Sequence, residues 1–271
     1  MRRGVERLRR EVADRLPLGP NGIVRGAEPI TLDGDPARAV LVVHGFGDAP
    51  DSLQGLAAHL HRAGWTVRAP LLPGHGRTLD DFARSRADGW IAHARAAYAA
   101  LRATHPHVAV VGLSMGGAIA AILAAESPPP ALVLLAPYVA MPRHMRLAAA
   151  LHPLVTLAAP WIVSRNPRSI RDPAARVASR GYGVVAPRLL PELATVVARA
   201  RRALPRITSP TRVVASRLDN RVPAAAAAAA FARLGAATKE LVWLEESGHV
   251  ITVDVEKARV FDLVGEWIER A

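Results

Sequence analysis

The chain has 271 residues, 51% apolar and 21% charged, the balance of a globular protein with a sizeable core rather than of a disordered one. It has no cysteine, which excludes disulfides, thiolate metal sites and a cysteine nucleophile. The formal charge is +12, nearly all from arginine, with lysine only at 239 and 257; arginines so scattered read as compositional bias and not as a nucleic-acid footprint.

Residues 1–20 carry Val5, Leu8, Val12 and Leu16 at helical spacing, so a short amphipathic helix is expected. Glu6, Arg9, Arg10 and Glu11 interrupt the place of a signal peptide's apolar core, and the cytoplasm is the expected compartment. The helix either packs on the body or touches a lipid surface, packing being the preferred reading. Arg2, Arg3, Arg9 and Arg10 form the chain's main basic cluster. Residues 22–32 read as a short antiparallel hairpin leading into a sheet.

From there, short apolar runs alternate with longer helical stretches. Strands are expected at 39–43, 66–70, 108–112, 131–136, 211–216 and 240–244, and helices at 52–63, 87–104, 115–126, 224–234 and 255–269. Most of the strand runs are continuously apolar, as in parallel strands buried on both faces. The alternation predicts an α/β fold with a mostly parallel, doubly wound sheet. It breaks at 138–205, where helical pieces at 144–159 and 187–203 flank an Arg- and Pro-rich loop at 164–182. That stretch reads as a helical insertion lying as a lid over the strand ends. A core of 21–137 and 206–271 follows. The apolar stretch 147–163 holds His152, Pro153 and Pro160 and falls short of the about 20 residues a spanning helix needs.

Residues 108–117 read V-A-V-V-G-L-S-M-G-G. A buried strand enters Gly-x-Ser-x-Gly and a helix leaves it, which is the context in which a strained turn presents a serine as nucleophile. Ser114 is that serine. It needs a base, and His249 lies just past the last expected strand, in E-S-G-H-V, where a loop can reach the strand ends. His44 and His75 precede the serine and are read as supporting. Asp219 follows the strand 211–216 and lies between Ser114 and His249 in the chain, as an acid that orients the imidazole must in this order. Asp254 reads as the N-cap of the last helix. The N–H groups of Met115 and Phe46, the latter in H-G-F-G at 44–47, are the candidate oxyanion donors. Met141, Met145 and Trp161, in and beside the apolar stretch 147–163, suit an acyl chain; a lid core without ligand explains them equally well. No metal or other cofactor is implied.

With G-A-E-P at 26–29, L-P-G-H-G at 72–76, D-G-W at 88–90, D-x-x-V-P at 219–223 and S-G-H-V-I-T-V-D at 247–254, the chain resembles the bacterial carboxylesterase and monoacylglycerol lipase branch of the α/β-hydrolase superfamily. The resemblance implies a Ser114–His249–Asp219 triad, a cap at 138–205, and hydrolysis of short to medium acyl esters or monoacylglycerols. Small ester or lipid molecules would be the partners, with peripheral contact to lipid and none to nucleic acid. Alternatives are an acyltransferase, a haloperoxidase-like relative, and a non-catalytic binder of hydrophobic ligands.

Overall fold

A computed structural model describes residues 2–164 and 166–270. Helix α1 (Arg2–Arg15) comes first, then strands β1 (Ile30–Leu32) and β2 (Asp35–Val43), helix α2 (Gln54–Arg62), strand β3 (Trp65–Ala69), helices α3 (Leu79–Arg84) and α4 (Ala87–Thr104), strand β4 (His107–Leu113), helix α5 (Met115–Glu126) and strand β5 (Leu132–Leu135). An inserted stretch holds α6 (Arg143–Ala150), α7 (His152–Ala158), β6 (Ile162–Val163), α8 (Pro173–Ala178), β7 (Val184–Val185) and α9 (Leu190–Ala203). The chain closes with β8 (Thr211–Ser216), α10 (Ala224–Ala232), β9 (Lys239–Leu244) and α11 (Lys257–Glu269).

Seven strands form one sheet in the order β1-β3-β2-β4-β5-β8-β9. All neighbours are parallel except β1, which pairs antiparallel with β3. The fold is thus the α/β architecture that the apolar runs imply. Successive residues of a strand face opposite sides, and two cores result. Leu41, Val43, Val110, Leu134 and Val213 point to one, under α4, α5 and α9. Val40, Val42, Val111, Val133 and Val214 point to the other, under α2 and α11.

The first core also takes Val12 and Leu16 at the end of α1, so this helix packs on the body. Residues 22–32 do not pair into the expected hairpin. Leu18 bridges Val24, and β1 crosses to the far strand β3, because the bend at 19–24 uses up the local pairing before β1 begins. The inserted stretch, expected to hold no strand, contains the two-residue pair β6–β7. Its helices divide sharply. Leu193, Val196, Val197 and Ala200 of α9 are buried in the first core, whereas α7 and α8 bury none of their residues. No described helix is long and apolar enough to cross a membrane.

Candidate active site

β4 delivers Ser114 at the C-terminal edge of the sheet, between β5 and β2. Ser114 takes φ 57° and ψ −117°, a conformation that costs a non-glycine residue energy and persists only when the surroundings enforce it. They do. A Cβ on Gly112 would stand 2.2 Å from Gly116 O, and one on Gly116 would stand 2.0 Å from Val43 O. Only glycine lets the start of α5 lie this close to β2 and β4. The Ser114 N–H donates to Leu135 O at 2.8 Å, which pins the turn to β5.

His249 Nε2 lies 2.7 Å from Ser114 Oγ, and its Nδ1 lies 2.8 Å from Asp219 Oδ2. With Nδ1–H donating to the carboxylate, Nε2 is free to accept the serine proton. The structure therefore brings the three residues into one hydrogen-bonded line. Asp219 Oδ1 accepts N–H bonds from Arg221 at 2.7 Å and Val222 at 2.9 Å, leaving Oδ2 for the imidazole. Ser114 and His249 each keep 8% of their surface exposed, enough to meet a substrate from one side.

The loop after β2 lies against Ser114: a Cβ on Gly45 would meet Ser114 Cβ at 3.4 Å. No hydrogen bond among the described residues engages the N–H of Phe46 or of Met115. The Phe46 ring packs edge-on against His75 and Trp90 and tilted on Phe82, which fixes its backbone. His44 Nε2 accepts the Leu72 N–H at 3.0 Å and its Nδ1–H donates to Gly45 O at 2.9 Å, tying this loop to the one after β3. Burial pushes the His44 pKa down to about 4, so the ring stays neutral and keeps both roles. His44 and His75 thus support the loops and do not join the line of three.

Met141 is buried, and Met145 and Trp161 pack partly buried against the core that holds Met115 and Tyr138. None of the three bonds to Ser114, Asp219 or His249 among the described residues. Met141 also floors a groove of about 330 Å³ with Arg146, Val197 and Arg201.

Several residues around the site escaped the sequence reading. Asp48 accepts the Ser52 hydroxyl at 2.7 Å. Burial raises its pKa, against the pull of Ser52 and of nearby His249. Asp51 is raised by its own burial and then by Asp48, although Arg180 stands beside it. Ser216 joins the two loops, its hydroxyl donating to Ser247 O and accepting the Leu218 N–H. Asp254 does not cap α11, which starts after Glu256. It is fully buried and bonds elsewhere, because the turn at 251–254 carries its carboxylate inward before the helix begins. Glu256 accepts N–H groups from Glu245, Glu246 and Ser247. Burial works against its charge, and those bonds win, holding its pKa below the usual range.

A family model described as serine aminopeptidase, S33, matches residues 34–256. A thermostable monoacylglycerol lipase of Bacillus sp. (strain H-257) is 30% identical over 240 residues, 89% of this chain and 93% of the relative. A carboxylesterase of Bacillus subtilis (strain 168) is 28% identical over 247 residues, 90% of this chain and 96% of the relative. A solved structure from work on two metagenome-derived lipolytic enzymes, LipS and LipT, superimposes with TM-score 0.85 at 30% identity, covering 92% of this chain and 100% of that one.

Proposed function

Since the chain belongs to the serine aminopeptidase, S33, family, we propose that Ser114, His249 and Asp219 carry out its reaction as nucleophile, base and orienting acid. The protein is an ester hydrolase of the α/β-hydrolase fold. The observation that carries the residue assignment is the hydrogen-bonded line from Ser114 Oγ through the imidazole to Asp219, at 2.7 and 2.8 Å.

His249 Nε2 takes the serine proton as Oγ attacks the ester carbonyl carbon. The carbonyl oxygen becomes an oxyanion, held by the N–H groups of Phe46 and Met115, with the start of α5 adding its dipole. Asp219 keeps the imidazolium oriented and remains charged. Collapse expels the alcohol, which leaves with the proton from Nε2. Water then repeats the attack on the acyl-enzyme, and His249 returns the proton to Ser114 as the carboxylic acid departs.

The substrates are short to medium acyl esters or monoacylglycerols, by analogy with the two Bacillus relatives. Residues 138–205 act as the cap, and Met141, Met145 and Trp161 line the acyl path. Their packing against the core that holds Met115 supports this. The work is done in the cytoplasm. The outer cap also touches lipid. Leu147, Leu151, Leu154 and Leu157 are exposed, and residues 127–171 hold no Asp or Glu but several arginines, a combination that favours an anionic surface. Cosedimentation with anionic vesicles tests this: Leu154→Ser with Leu157→Ser should weaken binding, and no binding by the parent would remove the contact.

For the reaction itself, Ser114→Ala should abolish hydrolysis of p-nitrophenyl esters while the circular dichroism spectrum stays native. Full activity in that variant overturns the assignment.

A further inference from the structure

The loop that carries His249 makes no strand ladder over residues 245–250, yet each of its six backbone N–H groups has a partner. Glu256 takes those of Glu245, Glu246 and Ser247. Asp254 Oδ2 takes that of Gly248 at 2.6 Å. Ser169 O, from the inserted stretch, takes those of His249 and Val250, both at 2.9 Å. The base thus hangs from two carboxylates and one carbonyl.

The segment that carries this carbonyl is itself held by one of those carboxylates. Asp254 Oδ1 accepts the N–H groups of Arg171 at 2.9 Å and Asp172 at 2.8 Å, and that of Val255 at 2.9 Å. One fully buried side chain therefore clasps residues 171–172 with one oxygen and Gly248 with the other. The contact is close. A Cβ on Gly248 would stand 2.2 Å from Arg168 O, so glycine is what lets the inserted segment lie flat on the loop. The acid loop is gripped by the same segment: the Ser169 hydroxyl donates to Asn220 Oδ1 at 3.1 Å, and Arg221 Nε donates to Ser169 Oγ at 3.3 Å.

We infer that Asp254 is a positioning residue for His249, and that residues 166–172 are a fixed strut of the catalytic centre, not part of a moving lid. This rests on His249 being the base. A buried carboxylate that accepts four N–H groups is hard to replace, because any substitute leaves buried donors without partners. Asp254→Asn keeps the shape but puts an N–H₂ group against an N–H donor. The loop must then shift, and a shift of about 1 Å costs about 10²-fold in rate.

The test counts active sites with a fluorophosphonate and measures kcat per labelled site in the full chain. Asp254→Asn should lose about 10- to 100-fold in kcat per labelled site, with KM within about twofold of the parent. A merely structural role would lower the number of labelled sites and leave kcat per site unchanged, and that result overturns the inference. If the variant does not fold, hydrogen exchange of the unaltered protein decides. The amides of 171–172 and 248–250 should open together and more slowly than those of α7; free exchange at 171–172 beside a protected 248–250 overturns it. A parent that neither hydrolyses esters nor reacts with the probe would instead count against Ser114.

Discussion

Ser114 is held by backbone packed against backbone, whereas the loop of His249 is held by hydrogen bonds to two carboxylates and a carbonyl. Around Ser114 the restraint is steric: Gly112 and Gly116 admit close backbone contacts within the turn and to Val43 of β2, and the turn has no room to relax. Around His249 the restraint is polar, supplied by Glu256 and Asp254 just downstream and by Ser169 from the inserted stretch. A packed backbone turn tolerates almost no added atom. A hydrogen-bonded loop tolerates changes in proportion to the bonds lost.

Adding one methyl group to the steric side should therefore have the largest effect. Gly116→Ala would set a Cβ 2.0 Å from Val43 O, and kcat should fall by about 10²-fold or more with a lowered melting temperature. A folded, fully active Gly116→Ala would show that the turn is looser than its contacts imply. Asp254→Asn, with its about 10- to 100-fold loss, should rank second. If it ranked first, the polar side would be the stiffer one.

The smallest effect concerns a third support, the loop after β2. Burial, and then Asp48, raise the Asp51 pKa from 3.8 to about 7. Across that interval the folded protein holds a proton that the unfolded chain has released, so this group's stability is present at the acid end and is lost as pH rises. Asp51→Asn should remove that loss. Its melting temperature relative to the parent should rise between pH 5 and pH 8, by about 2–4 °C for each kcal/mol relieved. A difference that stays flat with pH would mean that Arg180 neutralises the carboxylate fully.

What the sequence shows follows the same division. The parallel strands are legible because burial on both faces makes them continuously apolar, as at 108–112 and 131–136. The turn at Ser114 is legible because its glycines are local. The order Ser114, Asp219, His249 is legible because each follows a recognisable strand. Asp254 was misread for the opposite reason. Its position before α11 suggests a cap, while its partners at 171 and 172 lie more than 80 residues away. Ser169 acts through its carbonyl, which no side chain announces. Helices α3 and α8, absent from the sequence expectations, are six residues long, too short for a helical period to show. Strands β6 and β7 are too short for any period to show.

The central claim is that Ser114 becomes covalently acylated, and a fluorophosphonate tests it most directly. Intact mass should show one adduct per chain, peptide mapping should place it on Ser114, and Ser114→Ala should show none. Continued ester hydrolysis with no adduct, or with the adduct on another serine, would contradict the account.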